Sequence, residues 1–483
     1  MTAIDDVTAD DAGDFAVPRK SSLRGAATLS AAQGLYVLSG YVLNVVLARF
    51  LGPGSYGVYG VVLTLLTIVN LMQTQGVPQA LSRSIAAGAD EYGAWRTALR
   101  IQGVASTGGI ILLVASAPIL ASVLDDDRLL SGLLIAAAAV PSYAIFATIG
   151  GVLNGRRDFM RQAQMNAVYA TARVVCVIGL ALVFDLAGAL VGFALAPVVA
   201  AAGLLSARPR GGSGATTFDW RPLVRFALPS IGLALALTAT MSVDLLFVKG
   251  IISDDDIAGI YAAAQNAARL TYFVIIPAGV VLFPAMAEAI ASRDHARQRV
   301  LVADGIEGAI TVVLLLVAVM AGARIPLLDL AFGSAYEGAS TAFELLAPAL
   351  GCLALAYTLA SLMTGSGRPH PPMVVAAAAL VLQVAIEYPL TSAYGMSGAA
   401  LGTLIAAAAC LLGQAVLVAR NFGSLGDPSR LVRLLVCGAA AFGVASLASS
   451  RVDVVPICLA ATAAYIALVI VLRVVPRRLR RAR

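Results

Sequence analysis

Residues 397–419 read SGAALGTLIAAAACLLGQAVLVA, twenty-three residues without a charged side chain, closed by Arg420. At about 1.5 Å per residue a helix of this length is about 35 Å long, enough to cross the roughly 30 Å hydrocarbon layer of a bilayer. Similar runs lie near 25–47, 56–76, 98–121, 129–151, 162–183 and 186–207. Others lie near 225–247, 257–283, 304–323, 341–364 and 373–391, and two more near 431–449 and 454–475. Composition agrees: 60% of the 483 residues are hydrophobic and 12% charged, and mean hydropathy is +0.89. Soluble domains carry about 25% charged residues. In lipid the backbone must satisfy its own hydrogen bonds, and helices do so within one segment. The expectation is an all-α polytopic membrane protein with about 14 transmembrane helices.

The basic residues orient it. With a cytoplasmic N-terminus, 26 Arg and Lys fall in inner segments and five (Arg49, Arg128, Lys249, Arg324, Arg451) in outer ones, which fits the positive-inside rule. This predicts a multi-pass protein of the cell (inner or plasma) membrane with both termini cytoplasmic. Loop asymmetry accounts for the pI near 9.2 without a nucleic-acid partner. The Arg-rich C-terminal tail is expected to rest on anionic lipid. Acidic outer clusters, Asp125–Asp127 and Asp254–Asp256, read as solvated turns and helix caps. Cys176, Cys352, Cys410, Cys437 and Cys458 lie in apolar runs without ligand spacing and read as small core residues. His295 and His370 fall in polar loops, which argues against a metal or His-based catalytic centre. No outer loop is long enough for a catalytic domain, so no enzyme is expected.

The chain also repeats itself. Gly52-Pro53-Gly54-Ser55-Tyr56-Gly57-Val58-Tyr59 follows the first span, and Ser253-Asp254-Asp255-Asp256-Ile257-Ala258-Gly259-Ile260-Tyr261 follows the seventh. Gly155-Arg156 precedes Leu186-Ala187-Gly188-Ala189-Leu190, as Gly367-Arg368 precedes Gly395-Met396-Ser397-Gly398-Ala399-Ala400. Equivalent points lie about 200 to 212 residues apart, so six spans repeat in parallel. The predicted organisation is an acidic tail (1–22), a six-helix lobe (23–207), a linker (208–224) and a second six-helix lobe (225–420). Two extra helices (421–475) and a basic tail (476–483) complete it. The extra pair either packs peripherally or forms a groove for a lipid tail. The stretch 77–95 reads as a short amphipathic helix on the cytoplasmic surface.

The stretch Ala48-Arg49-Phe50-Leu51-Gly52-Pro53, with Tyr56-Gly57-Val58-Tyr59 and Gly76-Val77-Pro78, resembles the polysaccharide-exporting flippases. These are the O-antigen and exopolysaccharide translocases of the multidrug/oligosaccharidyl-lipid/polysaccharide superfamily. Leu228-Pro229 with Asp244, Gly259-Ile260-Tyr261, Phe283-Pro284, Gly367-Arg368-Pro369 and Tyr394-Gly395-Met396-Ser397-Gly398-Ala399-Ala400 extend the likeness over most of 23–420. The resemblance implies outward flipping of a polyprenyl-pyrophosphate-linked oligosaccharide by alternating access, for cell-surface polysaccharide. The expected partners are that lipid-linked glycan, membrane lipids and polysaccharide polymerase machinery. No cofactor is implied beyond a proton or sodium ion for coupling. Gln383 and Glu387 depart from the small amides expected in the eleventh span.

Such cargo needs a hydrated, cationic cavity and no nucleophile. The eighth span offers Tyr261, Gln265, Arg269 and Tyr272 on one helix face, with Asn266 beside them; the fifth offers Gln162, Asn166, Tyr169 and Arg173. An arginine at mid-span costs about 2.5–3.5 kcal/mol on insertion scales, so it faces protein or water. Arg173 and Arg269 therefore either bind pyrophosphate or tie helices together. Arg24 and Arg49 flank the first span, as snorkelling side chains or as a substrate portal. Asp244, whose repeat counterpart is Asn44, is either an ion or gating site or a fixed pair or cap. Glu387, late in the eleventh span, reads as an interfacial residue or as a second ion or gating site. Asn70, Gln73, Gln102 and Gln414 read as interhelical hydrogen-bond partners. Two rivals stay open within the superfamily: a peptidoglycan-precursor (lipid II) flippase, and a multidrug or cation antiporter, which would want an acidic cavity.

Overall fold

The computed structural model describes residues 20–86, 88, 90–202, 221–276, 288–423, 427–448 and 453–472, apart from Ser253 and Ala291, with isolated positions between 277 and 287. The acidic N-terminal tail, most of the linker and the basic C-terminal tail fall outside the described residues. The chain runs through α1 (Lys20–Gln75), α2 (Val77–Ala86), α3 (Glu91–Val123), α4 (Arg128–Gly155) and α5 (Phe159–Ala202). It continues through α6 (Arg221–Thr240), α7 (Val243–Ile252), α8 (Asp255–Phe273), α9 (His295–Gly322) and α10 (Arg324–Phe332). After a 3-10 turn (Ser334–Ala339) come α11 (Ser340–Gly365), α12 (His370–Phe422), α13 (Pro428–Ala448) and α14 (Val454–Val471). No strand occurs among the described residues.

Among the described residues, ten helical segments are long and apolar enough to cross a membrane. Three of them, α1, α5 and α12, double back at a non-helical residue: Gly52, Phe184-Asp185 and Gly395. The α12 reversal shows how. Gly395 takes φ 58°, a left-handed geometry that favours glycine. Three residues on, a methyl group at Gly398 would sit 1.9 Å from the Leu390 carbonyl oxygen, so only a hydrogen lets the two arms meet. The α5 reversal repeats this 210 residues earlier, with Asp185 at φ 48° and Gly188 against the Leu180 carbonyl. The Gly-Ala-Leu and Gly-Ala-Ala strings of the sequence are thus hairpin-closing elements. Gly398→Val is expected to prevent folding of this hairpin, read as loss of monodisperse protein in size-exclusion chromatography.

The lipid-facing surface is apolar, as in Val104 (76% exposed) and Leu447 (80% exposed). Its interior is built largely of Ala, Leu and Val at helix crossings. In the C-terminal half α11 packs among α8, α9 and α12; in the N-terminal half α1, α4 and α5 pack together. The halves meet where α1 packs against α8. The last two helices attach to α9 from outside: Arg430 Nη1 bonds Glu307 Oε2 at 3.0 Å, and Tyr465 Oη donates to the Thr311 carbonyl at 2.8 Å.

Three expectations change. The seventh span is not one helix: Met241 and Ser242 form a turn between α6 and α7. The loop expected between spans nine and ten holds α10, ended by Gly333 at φ 100°. The amphipathic α2 does not lie free on a surface. Its buried Leu81 joins Val152 and Ala98, and Gly151 leaves space for Pro78.

At the end of the bundle that the arginine distribution assigns to the outside, the halves are fastened together. Tyr336 Oη donates to the Ala48 carbonyl at 2.5 Å. Arg49, half expected at the headgroups, instead donates to the carbonyls of Leu330 (2.6 Å) and Ala331 (2.9 Å), the C-terminal end of α10, where cations are favoured. A methyl group at Gly259 would meet the Pro53 carbonyl oxygen at 1.7 Å. Glycine is what lets α8 approach the α1 turn. Asp126 is no solvated turn residue either. It is buried with Lys249, whose Nζ reaches its Oδ2 at 2.8 Å, and it also holds Arg128.

Candidate functional site

Two adjoining chambers lie where α1, α5, α8 and the α6–α7 turn converge. The first, about 320 Å³, is bordered by Tyr36, Tyr41, Asn70, Arg173 and others of the N-terminal half, together with Asn266 and Arg269. The second, about 240 Å³, is bordered by Thr238, Ser242, Gln265, Tyr272, Asn266 and Arg269. Asn44, Tyr59, Leu63, Thr67 and Phe273 border both. No carboxylate borders either chamber among the described residues, whereas two guanidinium groups do.

Arg269 sits between the chambers. Its Nη2 donates to Gln265 Oε1 (3.0 Å), Ser242 Oγ (2.9 Å) and the Met241 carbonyl (3.1 Å), and Nη1 approaches Asn266 Oδ1 (3.4 Å). The α6–α7 turn supplies two of these acceptors. Arg173 is buried under aromatic rings: its guanidinium carbon lies 4.6 Å from the Tyr36 ring centroid and 5.6 Å from that of Tyr169. Its Nη2 donates to the Tyr36 carbonyl (2.9 Å) and Ser39 Oγ (2.8 Å). Neither arginine pairs with a carboxylate among the described residues. An arginine in lipid without a counter-charge must find hydrogen-bond acceptors or water, and both do.

Beyond the second chamber lies a buried polar cluster. Asp244, fully buried, accepts from Tyr261 Oη (2.6 Å), Gln265 Nε2 (2.6 Å), Thr403 Oγ1 (3.1 Å) and the Leu245 amide (3.0 Å). Gln383 Nε2 bridges Thr403 Oγ1 (3.0 Å) and the Thr240 carbonyl (3.2 Å). Glu387 overturns its interfacial reading: it is fully buried, and a methyl group at Gly402 would lie 2.5 Å from its Oε2. Among the described residues, neither Glu387 oxygen nor Gln383 Oε1 has a hydrogen-bond partner within bonding geometry. Asp244 is thus held by four donors, whereas no hydrogen bond within that geometry holds the Glu387 carboxyl among the described residues.

The other expected residues divide. Gln265, Asn266, Arg269 and Tyr272 border chambers, whereas Tyr261 turns away to Asp244. Tyr169 supports Arg173 and bonds Tyr143 without bordering either chamber, and Asn166 is half-buried on α5 away from both. Asn44 borders both chambers and accepts from Tyr56 Oη (3.2 Å). The side chain of Arg24 lies outside the described residues. Gln102 and Gln414 are interhelical partners, bonding the carbonyls of Gln73 and Pro372. The sequence reading missed Tyr36, Tyr41 and Tyr59, although 36/40/44 and 59/63/67/70 fall at helical spacing.

The described residues form a two-lobed helical bundle with a cationic chamber where its halves meet. Residues 22–290 match the polysaccharide biosynthesis protein family, and the chain belongs to it. It is 27% identical over 163 residues to stage V sporulation protein B of Bacillus subtilis, a match spanning about a third (32%) of each chain. Its fold is similar to that of the lipid II flippase MurJ in an inward closed conformation, with a TM-score of 0.76, 12% identity, and 92% and 97% of the two chains covered. It is also similar to an inward-facing MATE family multidrug resistance transporter, with a TM-score of 0.69, 15% identity, and 83% and 98% covered.

Proposed function

We propose that this protein flips a polyprenyl-pyrophosphate-linked oligosaccharide from the cytoplasmic to the outer leaflet, by alternating access between its halves, for cell-surface polysaccharide assembly. The observation that carries this reading is the charge of the chambers: two guanidinium groups and, among the described residues, no bordering carboxylate. A pyrophosphate satisfies both demands of such a space, since its oxygens accept charge-assisted bonds and its charge offsets the arginines. A carrier of cationic drugs would want the reverse polarity. The similarity to a lipid II flippase favours a peptidoglycan precursor as a second reading, and the same cavity charge suits it. Depletion of the protein in its own cell, followed by assay of lipid-linked glycans for leaflet accessibility, separates these outcomes. A pyrophosphate-linked glycan trapped on the cytoplasmic leaflet supports the flippase and identifies the cargo. Drug sensitivity without a trapped intermediate overturns it. Released on the outer leaflet, such cargo would pass to polymerase machinery.

The Asp244–Glu387 cluster is the coupling-ion site in this reading. It is oxygen-rich, buried, and joined to Arg269 by two hydrogen bonds through Gln265, which donates to Asp244 and accepts from Arg269, so occupancy by a proton or sodium ion would alter the field at the cargo site. Asp244→Asn removes one negative charge at nearly constant shape. It is expected to abolish dependence of flipping on the ion gradient, measured in proteoliposomes with imposed pH or sodium gradients. Unchanged gradient dependence in this variant would overturn the coupling role.

A further inference from the structure

Several polar groups around the first chamber lack partners. Near Arg269, Ser242, Gln265 and Asn266 engage the guanidinium, though its Nε bonds nothing among the described residues. Among the described residues, the Tyr41 and Tyr59 hydroxyls, Asn70 Oδ1 and Arg173 Nε are likewise buried without a hydrogen-bond partner. Tyr59 is 1% exposed and Asn70 8% exposed, and all four side chains border the chamber. Buried polar groups without partners are rare because each carries its full desolvation penalty. Four of them along one wall mark a surface shaped to receive a ligand rich in hydroxyl and amide groups.

We infer that this wall is a sugar subsite, which holds the first sugar ring of the lipid-linked glycan while Arg269 holds its pyrophosphate. The inference rests on the flippase reading and divides its cavity by chemistry. Phosphate oxygens need cationic donors, and Arg269 stands at the junction of the chambers where both are reached. Sugar hydroxyls donate and accept, and they match a wall that mixes tyrosine hydroxyls, an amide oxygen and one guanidinium edge. Arg173 itself is held by the Tyr36 carbonyl and Ser39 and overlies the Tyr36 ring.

The test uses the full chain in nanodiscs with two probes, a polyprenyl pyrophosphate and the same lipid carrying a single hexose. The native protein is expected to bind the hexose-bearing lipid about five- to tenfold more tightly, the effect of one or two neutral hydrogen bonds. Tyr59→Phe with Tyr41→Phe removes hydroxyls that bond nothing in the protein, so folding is retained and thermal stability is unchanged or raised. That variant, and separately Asn70→Leu, is expected to abolish the preference while leaving affinity for the bare pyrophosphate lipid intact. Arg269→Ala is expected to weaken both probes alike. A full preference retained in the tyrosine and Asn70 variants, or equal losses for both probes, overturns the sugar subsite and leaves the flippase reading standing. A native protein that binds neither probe overturns both.

Discussion

Replacing Arg269 with alanine is expected to weaken binding of a pyrophosphate-bearing lipid about 10- to 150-fold, because a hydrogen bond to a charged group contributes about 1.5–3 kcal/mol. Flipping in proteoliposomes should fall in proportion. The folded state should persist: the groups the guanidinium now holds, Gln265, Ser242 and the Met241 carbonyl, sit beside a chamber where water can replace it. Arg269→Lys keeps the charge but not the fork of donors, and an intermediate loss is expected. Wild-type flipping by a well-folded Arg269→Ala protein would remove this residue from the cargo site.

The second large effect is expected at the outer fastening. Asp126→Asn deprives the buried Lys249 of its carboxylate, and breaking a buried ion pair from one side costs about 3 kcal/mol or more. That moves the balance between closed and open outer ends by about a hundredfold. The measurement is labelling of a cysteine at Ser242 by an impermeant thiol reagent added from outside, in a cysteine-free background. Asp126→Asn should speed labelling strongly. Adding Lys249→Met should restore slow labelling, because the ammonium that lost this carboxylate is gone; equally slow labelling in Asp126→Asn alone would deny the pair a gating role. Burial raises the Asp126 carboxyl, but hydrogen bonds from Arg128 and Lys249 outweigh it and hold it down at about 2. An unfolded aspartate titrates near 3.9. The stabilisation is therefore complete above about pH 4 and is lost only as pH falls through about 2. The ratio of labelling rates between Asp126→Asn and the parent should not change between pH 8 and pH 5, since both rates fall alike with the thiolate fraction.

Much of the fold was legible because the bilayer imposes it. Twenty-residue apolar runs and an arginine bias need no tertiary knowledge. The α12 reversal could be read from Gly395 and Gly398, since backbone geometry admits little else there. Long-range pairing was not legible. Asp125, Asp126 and Asp127 look alike in sequence, and the partner that buries one of them lies 123 residues away. Arg49 looked like a snorkelling residue because its acceptors belong to α10, a helix too short to register in an apolar window. Glu387 was misjudged by its place near a span end. The repeat register held a clue: Gly402 meets Glu387 as Gly192 meets Val177, both pairs 210 residues apart, so the carboxylate occupies a position that is interior in the other half.

The break in the seventh span has a mechanical meaning. α7 is ten residues long, a rod of about 15 Å. Asp244 stands at one end, Leu245 beside the chamber, and Lys249 reaches Asp126 near the other. A rigid rod hinged at Met241-Ser242 cannot tilt at one end alone. In the proposed cycle, cargo drawing Arg269 from the Met241 carbonyl, or an ion bound at Asp244, would displace the near end of α7, and the rod would carry that displacement to the Lys249–Asp126 pair at its far end.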